Sequence, residues 1–409
     1  MNMKDKEIIR ELAKRYMELA TSDKQKKAFK RMQDTNDLKL VRPPVLLDEI
    51  PWYQMDIDNK LTLICEEEKA RRIEEFLRRA LYRWEYFKAD NLNEPFYRVW
   101  KAYDSTGNGL KVEESILRTD GTNNIVSHSY VDILADEDSL DNMHMPEFTL
   151  RPDIDDENMS YYTELLGDTM PVKLCGHRYV YFMPWDIIAR YRGMESIYID
   201  LYDRPEYMHK IIDKFCKAML TELDYFEKNS CIDTSPTDLH CTPAMVSGLG
   251  DEGWKGTWFR GGAQGFGSVS PAMHKEFELD YIKPLAERFG YTYYGCCEPL
   301  DNKMDVIKEI KNLRKIGVSP WANVESSAEQ IGGNYVFARK PNPANVSSIT
   351  DPEVIRKEIE ESVKACIEYG CPCEFVLKDI STVSNRPENL IVWANTVSDV
   401  LDEYYGKED

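Results

Sequence analysis

The chain has 409 residues, 42% of them hydrophobic, with 52 Lys+Arg against 72 Asp+Glu and a formal net charge of −20. That apolar content supports a sizeable core and excludes a disordered chain. The acidic balance argues against nucleic acid or an anionic membrane surface as the main partner. No apolar run reaches the ~18–20 residues of a transmembrane helix, and the start, Met1-Asn2-Met3-Lys4-Asp5-Lys6, leads into a charged helical pattern, so a cytoplasmic location is expected. The 10 cysteines include no Cys-x2-Cys pair, so they are expected to be thiols used for packing, metal binding or catalysis.

In chain order, Ile8, Ile9, Leu12, Tyr16 and Leu19 recur at helical spacing, and residues 1–40 read as an N-terminal helical extension. The remainder, 41–409, reads as one barrel domain. A buried strand is expected at 44–49, then a helix over 67–88. Residues 95–150 read as an insertion of short strands and turns. From residue 170 strands alternate with amphipathic helices: 171–176, 236–241, 263–268, 291–297, 314–319, 334–338 and 373–378. Helix starts are marked by capping-box patterns at Asp203-Arg204-Pro205-Glu206 and Asn385-Arg386-Pro387-Glu388, and by Ser270-Pro271 and Asp351-Pro352. Eight strands with interleaved helices imply an α/β chain folded as a (β/α)8 TIM-type barrel. The one dinucleotide-like fingerprint, Gly248-x-Gly250-x-x-Gly253, precedes no helix and does not support a nucleotide fold.

A (β/α)8 barrel does its chemistry at the C-terminal ends of its strands. Those ends carry Glu49, His177, His240, Cys296-Cys297-Glu298, Trp321, Lys340, Asn342 and Lys378-Asp379, and the strand 263–268 passes through Gln264. Thiolate, carboxylate and imidazole are competent zinc ligands, so Cys296 or Cys297, Glu298 and His240 form the candidate metal set. Adjacent strand residues face opposite sides, so only one of the two cysteines points inward while the segment stays extended. Lys378, Asp379 and His177 are the candidate catalytic groups, Lys378-Asp379 reading as an ion pair or as an anion clamp with an acid/base partner. Glu49, Gln264, Trp321, Lys340 and Asn342 are the candidate substrate contacts. Trp254, Trp258 and Phe259 read as a lid over the mouth. Cys371-Pro372-Cys373 opens its strand at the opposite face and reads as structural.

Trp185-Asp186-Ile187, Arg190-Tyr191-Arg192-Gly193, Asp200-Leu201-Tyr202-Asp203-Arg204-Pro205, Gln264 with Val269-Ser270-Pro271, Gly295-Cys296-Cys297-Glu298 and Pro387-Glu388-Asn389-Leu390 together resemble the uroporphyrinogen decarboxylase superfamily, over roughly residues 40–405. The resemblance implies a (β/α)8 barrel and one of two activities: tetrapyrrole decarboxylation, or zinc-dependent methyl transfer involving corrinoid proteins or thiols. The decarboxylases' N-terminal arginine motif corresponds to Arg42-Pro43-Pro44-Val45-Leu46-Leu47-Asp48-Glu49-Ile50, whose acidic residues would repel a polyanionic porphyrinogen. The methyltransferases' His-x-Cys falls on Tyr294-Gly295-Cys296, without its histidine, and their later cysteine falls near Lys378-Asp379. The expectation is therefore a methyltransferase that moves a methyl group from a small methylated donor, of the ether or amine type, to a corrinoid protein. Zinc and a partner-borne corrinoid are the implied cofactors, and a homodimer the implied assembly. The competing expectations are a metal-free lyase acting on a small acid, with Lys378 or Lys340 gripping the carboxylate and His177 or Asp379 as the acid, and a non-catalytic ligand-binding barrel.

Overall fold

A computed structural model describes residues 2–118 and 126–407. Its centre is a curled parallel sheet of seven strands: β1 (Val45–Leu47), β2 (Tyr179–Phe182), β3 (Trp258–Gly261), β4 (Tyr291–Tyr294), β5 (Leu313–Val318), β6 (Val336–Arg339) and β7 (Cys373–Leu377). The order across the sheet is β1-β7-β6-β5-β4-β3-β2 and every pairing is parallel. This is the strand sequence of an α/β barrel, with a seam left open between β1 and β2. The eight-stranded closed barrel expected from the sequence is thus corrected to a seven-stranded, open one.

Three expected strands differ. Val172–Cys175 is a strand but pairs with Tyr97–Trp100 in a separate two-stranded sheet, and β2 follows it. Residues 236–241 form only a hairpin ladder, Asp238–Leu239 against Thr242–Pro243, which sits in the seam. Residues Gln264–Ser268 make a 3-10 turn, and the strand is Trp258–Gly261, within the segment read as a lid. The sheet's outward faces and its covering helices form the main core, which includes Phe259, Tyr294, Ile316, Phe337 and Phe375. The lumen is different. Trp258, Tyr293 and Ala338 pack there with Leu239 and Ala244 of the hairpin, among polar side chains.

The N-terminal helices α1 (Met3–Ala20) and α2 (Asp23–Asn36) pack onto this framework. Helix α1 shares a core with Glu68–Tyr86 and Pro152–Leu166. At the end of α2, Asn36 Nδ2 donates to the carbonyls of Pro243 (3.1 Å) and Met245 (2.9 Å), tying the helix to the seam hairpin. The expected 95–150 insertion contains the pairs Tyr103–Ser105 with Phe148–Leu150 and Glu114–Leu117 with Ser127–Tyr130, while residues 119–125 lie outside the described residues. Ser270 and Asp351 cap their helices with side-chain oxygens. The two expected capping boxes do not form, because Arg204 and Pro387 occupy the cap positions and provide no side-chain acceptor. Among the described residues no helix is long and apolar enough to cross a membrane.

Candidate functional site

The floor of the lumen is a buried ion pair. Lys315 Nζ lies 2.8 Å from Glu374 Oε2 and also donates to Thr242 Oγ1 (2.8 Å) and the Pro243 carbonyl (3.0 Å). Strand alternation places Lys315 and Glu374 inward, and the contact with Thr242 and Pro243 clamps the seam hairpin onto the sheet. The hairpin turn, His240-Cys241, therefore has a fixed position, with Cys241 at φ +62°.

That turn meets the end of β1. Glu49 Oε1 lies 3.7 Å from Cys241 Sγ and 3.9 Å from His240 Nε2, and the ligand atoms of Glu49, His240 and Cys241 all fall within 4.8 Å of one another. Zinc–ligand bonds of ~2.0–2.3 Å around a tetrahedron put neighbouring donors roughly 3.3–3.8 Å apart, so this carboxylate–imidazole–thiol set would close on a zinc-type cation with shifts of about 1 Å or less. Burial, then the positive Arg260 and Lys378, press the His240 pKa down to about 4, which keeps the imidazole neutral and its lone pair free. Burial and the neighbouring Asp48 push the Cys241 thiol up.

Beside this trio lies a second cluster on the ends of β4 and β7. Lys378 Nζ is 3.4 Å from Cys296 Sγ, 3.7 Å from Glu49 Oε2 and 3.4 Å from Asp379 Oδ1. Cys297 Sγ donates to Asp379 Oδ2 at 2.8 Å and lies 3.7 Å from Cys296 Sγ. Both cysteines reach the site because the chain leaves extended geometry at Gly295, φ +95°, where a Cβ would meet Leu300 Cδ1 at 2.3 Å. The Cys297 hydrogen bond, then Arg260, Lys378 and Lys340, lower the Cys296 pKa to about 4, while Cys296 itself, burial and Asp379 push Cys297 up. The cations on the Cys296 side and the carboxylate on the Cys297 side favour the thiolate on Cys296.

The other expected site residues divide clearly. Glu298 does not join the expected metal set: it is fully buried and accepts from Ala263 N (3.3 Å) and Cys296 N (2.9 Å), bracing the turn. Burial, then the Cys296 charge, raise its pKa to about 7. His177 does not reach the site either. It follows the excluded strand Val172–Cys175, packs 4.1 Å (ring centres) from Phe226, and bridges to Ile232 through its backbone. Gln264, Trp321, Lys340, Asn342, Cys297, Lys378 and Asp379 line a mouth cavity of about 560 Å3. Glu49 and Asp379 also border a neighbouring cavity, and His240 and Cys241 border a third, of about 540 Å3, at the open seam. Gln264 Nε2 donates to Asp186 Oδ2 at 2.9 Å, and burial raises Asp186 to about 6.

Sequence reasoning missed three contributors. Cys241 was legible only as the neighbour of His240. Arg260 and Tyr293 lie on strand faces that enter the lumen, and Arg260 stacks on the Tyr293 ring, 3.6 Å from its centre.

No family model matches the chain, and no curated protein matches it. Among solved structures, a methyltransferase from Methanosarcina mazei is similar over 92% of this chain and 99% of its own, at 12% identity and a TM-score of 0.51. At this identity the likeness concerns the fold alone, and the curled seven-stranded parallel sheet is consistent with an α/β barrel of the TIM type.

Proposed function

We propose that the protein is a metal-assisted methyltransferase that moves a methyl group from a small methylated donor, an ether or amine, to a corrinoid carried by a partner protein. The observation that carries this reading is the Glu49–His240–Cys241 trio at the strand-end face of a barrel whose fold a methyltransferase shares. A cation held there would act as a Lewis acid on the donor heteroatom.

The chain's own groups supply the rest. Glu49 is shared between the trio and Lys378 Nζ, so the ammonium holds the carboxylate toward His240 and Cys241. The backbone N–H of Asp379 donates to Glu49 Oε2 (2.9 Å) and fixes it further. Lys378 and Asp379, 3.4 Å apart at the wall of the mouth cavity, would orient a leaving oxygen or nitrogen or supply its proton, and the Cys297 thiol holds Asp379 Oδ2 in place at 2.8 Å. Trp321, 71% exposed, and Pro320 and Pro341 give the cavity an apolar rim that shields a methyl group from water. A metal-free lyase would keep Lys340 and Lys378 as its carboxylate grip and, with His177 outside the cluster, would have Asp379 as its acid.

The test is methyl transfer to cob(I)alamin across a panel of methyl ethers and methylamines, with zinc supplied. Turnover of one donor class, lost in His240→Ala, supports the reading. No transfer from any donor by zinc-loaded protein counts against it.

A further inference from the structure

The cations of the lumen are unequally compensated. Lys315 has Glu374, and Lys378 has Glu49, Asp379 and Cys296. Arg260 and Lys340, 1% and 2% exposed, have no carboxylate within 4.0 Å among the described residues. Arg260 Nη1 donates to the Gly295 carbonyl and the guanidinium stacks on the Tyr293 face, while its Nε has no partner among the described residues. Lys340 has one hydrogen bond, from Nζ to Tyr293 Oη at 2.6 Å, and its remaining ammonium hydrogens have no partner among the described residues. Beyond that bond Lys340 has the longer-range attraction of Cys296; a buried ammonium with one hydrogen-bond partner and no carboxylate is costly, and its retention at a cavity wall points to a ligand.

The surroundings of Lys340 specify that ligand. Asn342, two residues on along the same wall, uses its side-chain oxygen to cap Ala344 N (3.0 Å), while its amide hydrogens have no partner among the described residues. One free ammonium and one free amide suit a compact monoanion. A dianionic phosphate would call for more cationic donors. The rest of the rim, Trp321 with Pro320, Pro341 and Pro343, is apolar. We propose that the mouth cavity binds a small organic carboxylate, its carboxyl group on Lys340 Nζ and Asn342 Nδ2 and its apolar body against Trp321. The proposal deepens the methyltransferase reading by naming its substrate class, and it rests on that reading only for the ligand's role as substrate. It differs from the grip of the porphyrinogen decarboxylases, whose corresponding N-terminal stretch is acidic here.

The test needs neither metal nor corrinoid, so it fails or succeeds independently of methyl transfer. Binding of benzoate, benzamide, butanoate and butanamide to the full chain in EDTA is measured by ligand-observed NMR or calorimetry, with inorganic phosphate as a further arm. A charge-assisted hydrogen bond in a buried site corresponds to roughly 10- to 100-fold in affinity, so each carboxylate should bind at least about tenfold more tightly than its amide. Lys340→Met should bring the acids to the level of the amides. Asn342→Asp sets a negative charge beside the ammonium without altering Lys340, and should weaken the acids while sparing the amides. Equal binding of acid and amide, acid binding unchanged in both variants, or tighter binding of phosphate than of either carboxylate would overturn the proposal.

Discussion

Lys315→Met probes how the seam hairpin is held. The substitution removes an ammonium 2.8 Å from Glu374 Oε2, where both side chains are at most 1% exposed. At an effective dielectric of about 20 the direct attraction at that distance is roughly 6 kcal/mol, much of it offset by desolvation. The variant leaves Glu374 buried with only the Thr242 hydroxyl as donor, and an uncompensated buried charge costs about 3–5 kcal/mol. Urea denaturation should register a loss of that size. Lys315→Met combined with Glu374→Leu removes both charges and should recover most of it, giving a favourable coupling between the sites. Because Lys315 also holds Thr242 and Pro243, the single variant should expose Cys241 to alkylation faster than the parent protein. A single variant within about 1 kcal/mol of the parent, or a double variant as unstable as the single, would refute the account of the lumen floor.

Three further outcomes follow from the site. The Cys296 thiolate should absorb near 240 nm at pH 6; Cys296→Ser should abolish that band and Lys378→Met should move its onset to higher pH, and a band that emerges only above pH 8 in the parent protein would contradict it. The folded His240 pKa of about 4 lies below its ordinary value of 6.5. As pH falls from 6.5 to 4 the unfolded chain therefore takes up the proton first, and this contribution to stability, present above that window, is lost across it. His240→Gln should flatten the corresponding part of the acid limb in pH-dependent denaturation. At Gly317 a Cβ would lie 2.8 Å from the Gly295 carbonyl carbon and 3.2 Å from Cys296 N. Gly317→Ala should thus displace the Cys296 turn, cost about 1–3 kcal/mol, and shift the thiolate band.

The strands legible in the sequence were those bracketed by well-marked helices. β1, β4, β5, β6 and β7 fall inside or beside the expected segments, even where a buried charge, Lys315 or Glu374, interrupts the apolar residues. β3 was hidden because its inward positions are Trp258 and Arg260, so Trp258-Phe259-Arg260-Gly261 carries no apolar run. β2, Tyr179-Val180-Tyr181-Phe182, was displaced by the neighbouring Val172–Cys175, whose own pattern is strand-like but whose partner is Tyr97–Trp100. That displacement carried His177 into the expected site and out of the observed one.

The cluster itself was partly legible for the same positional reason. Glu49, Cys297, Lys378 and Asp379 stand at true strand ends, and the barrel rule gathers strand ends whatever their spacing in sequence. His240 reached the site by another route, on a hairpin filling the seam, and it brought Cys241 with it. Glu298 failed as a ligand candidate because the turn after Gly295 aims its carboxylate at two backbone N–H groups. No pattern of residue types reveals that direction.

The proposed function rests on a cation site formed by Glu49, His240 and Cys241. Metal content of protein purified without oxygen and supplied with zinc tests it most directly, in the parent chain and in His240→Ala, Cys241→Ser, Cys296→Ser and Glu298→Gln. About one zinc per chain is expected, lost in His240→Ala and Cys241→Ser and retained in Cys296→Ser and Glu298→Gln. Zinc retained in Cys241→Ser and lost in Cys296→Ser, or no zinc taken up by the parent protein, would contradict it.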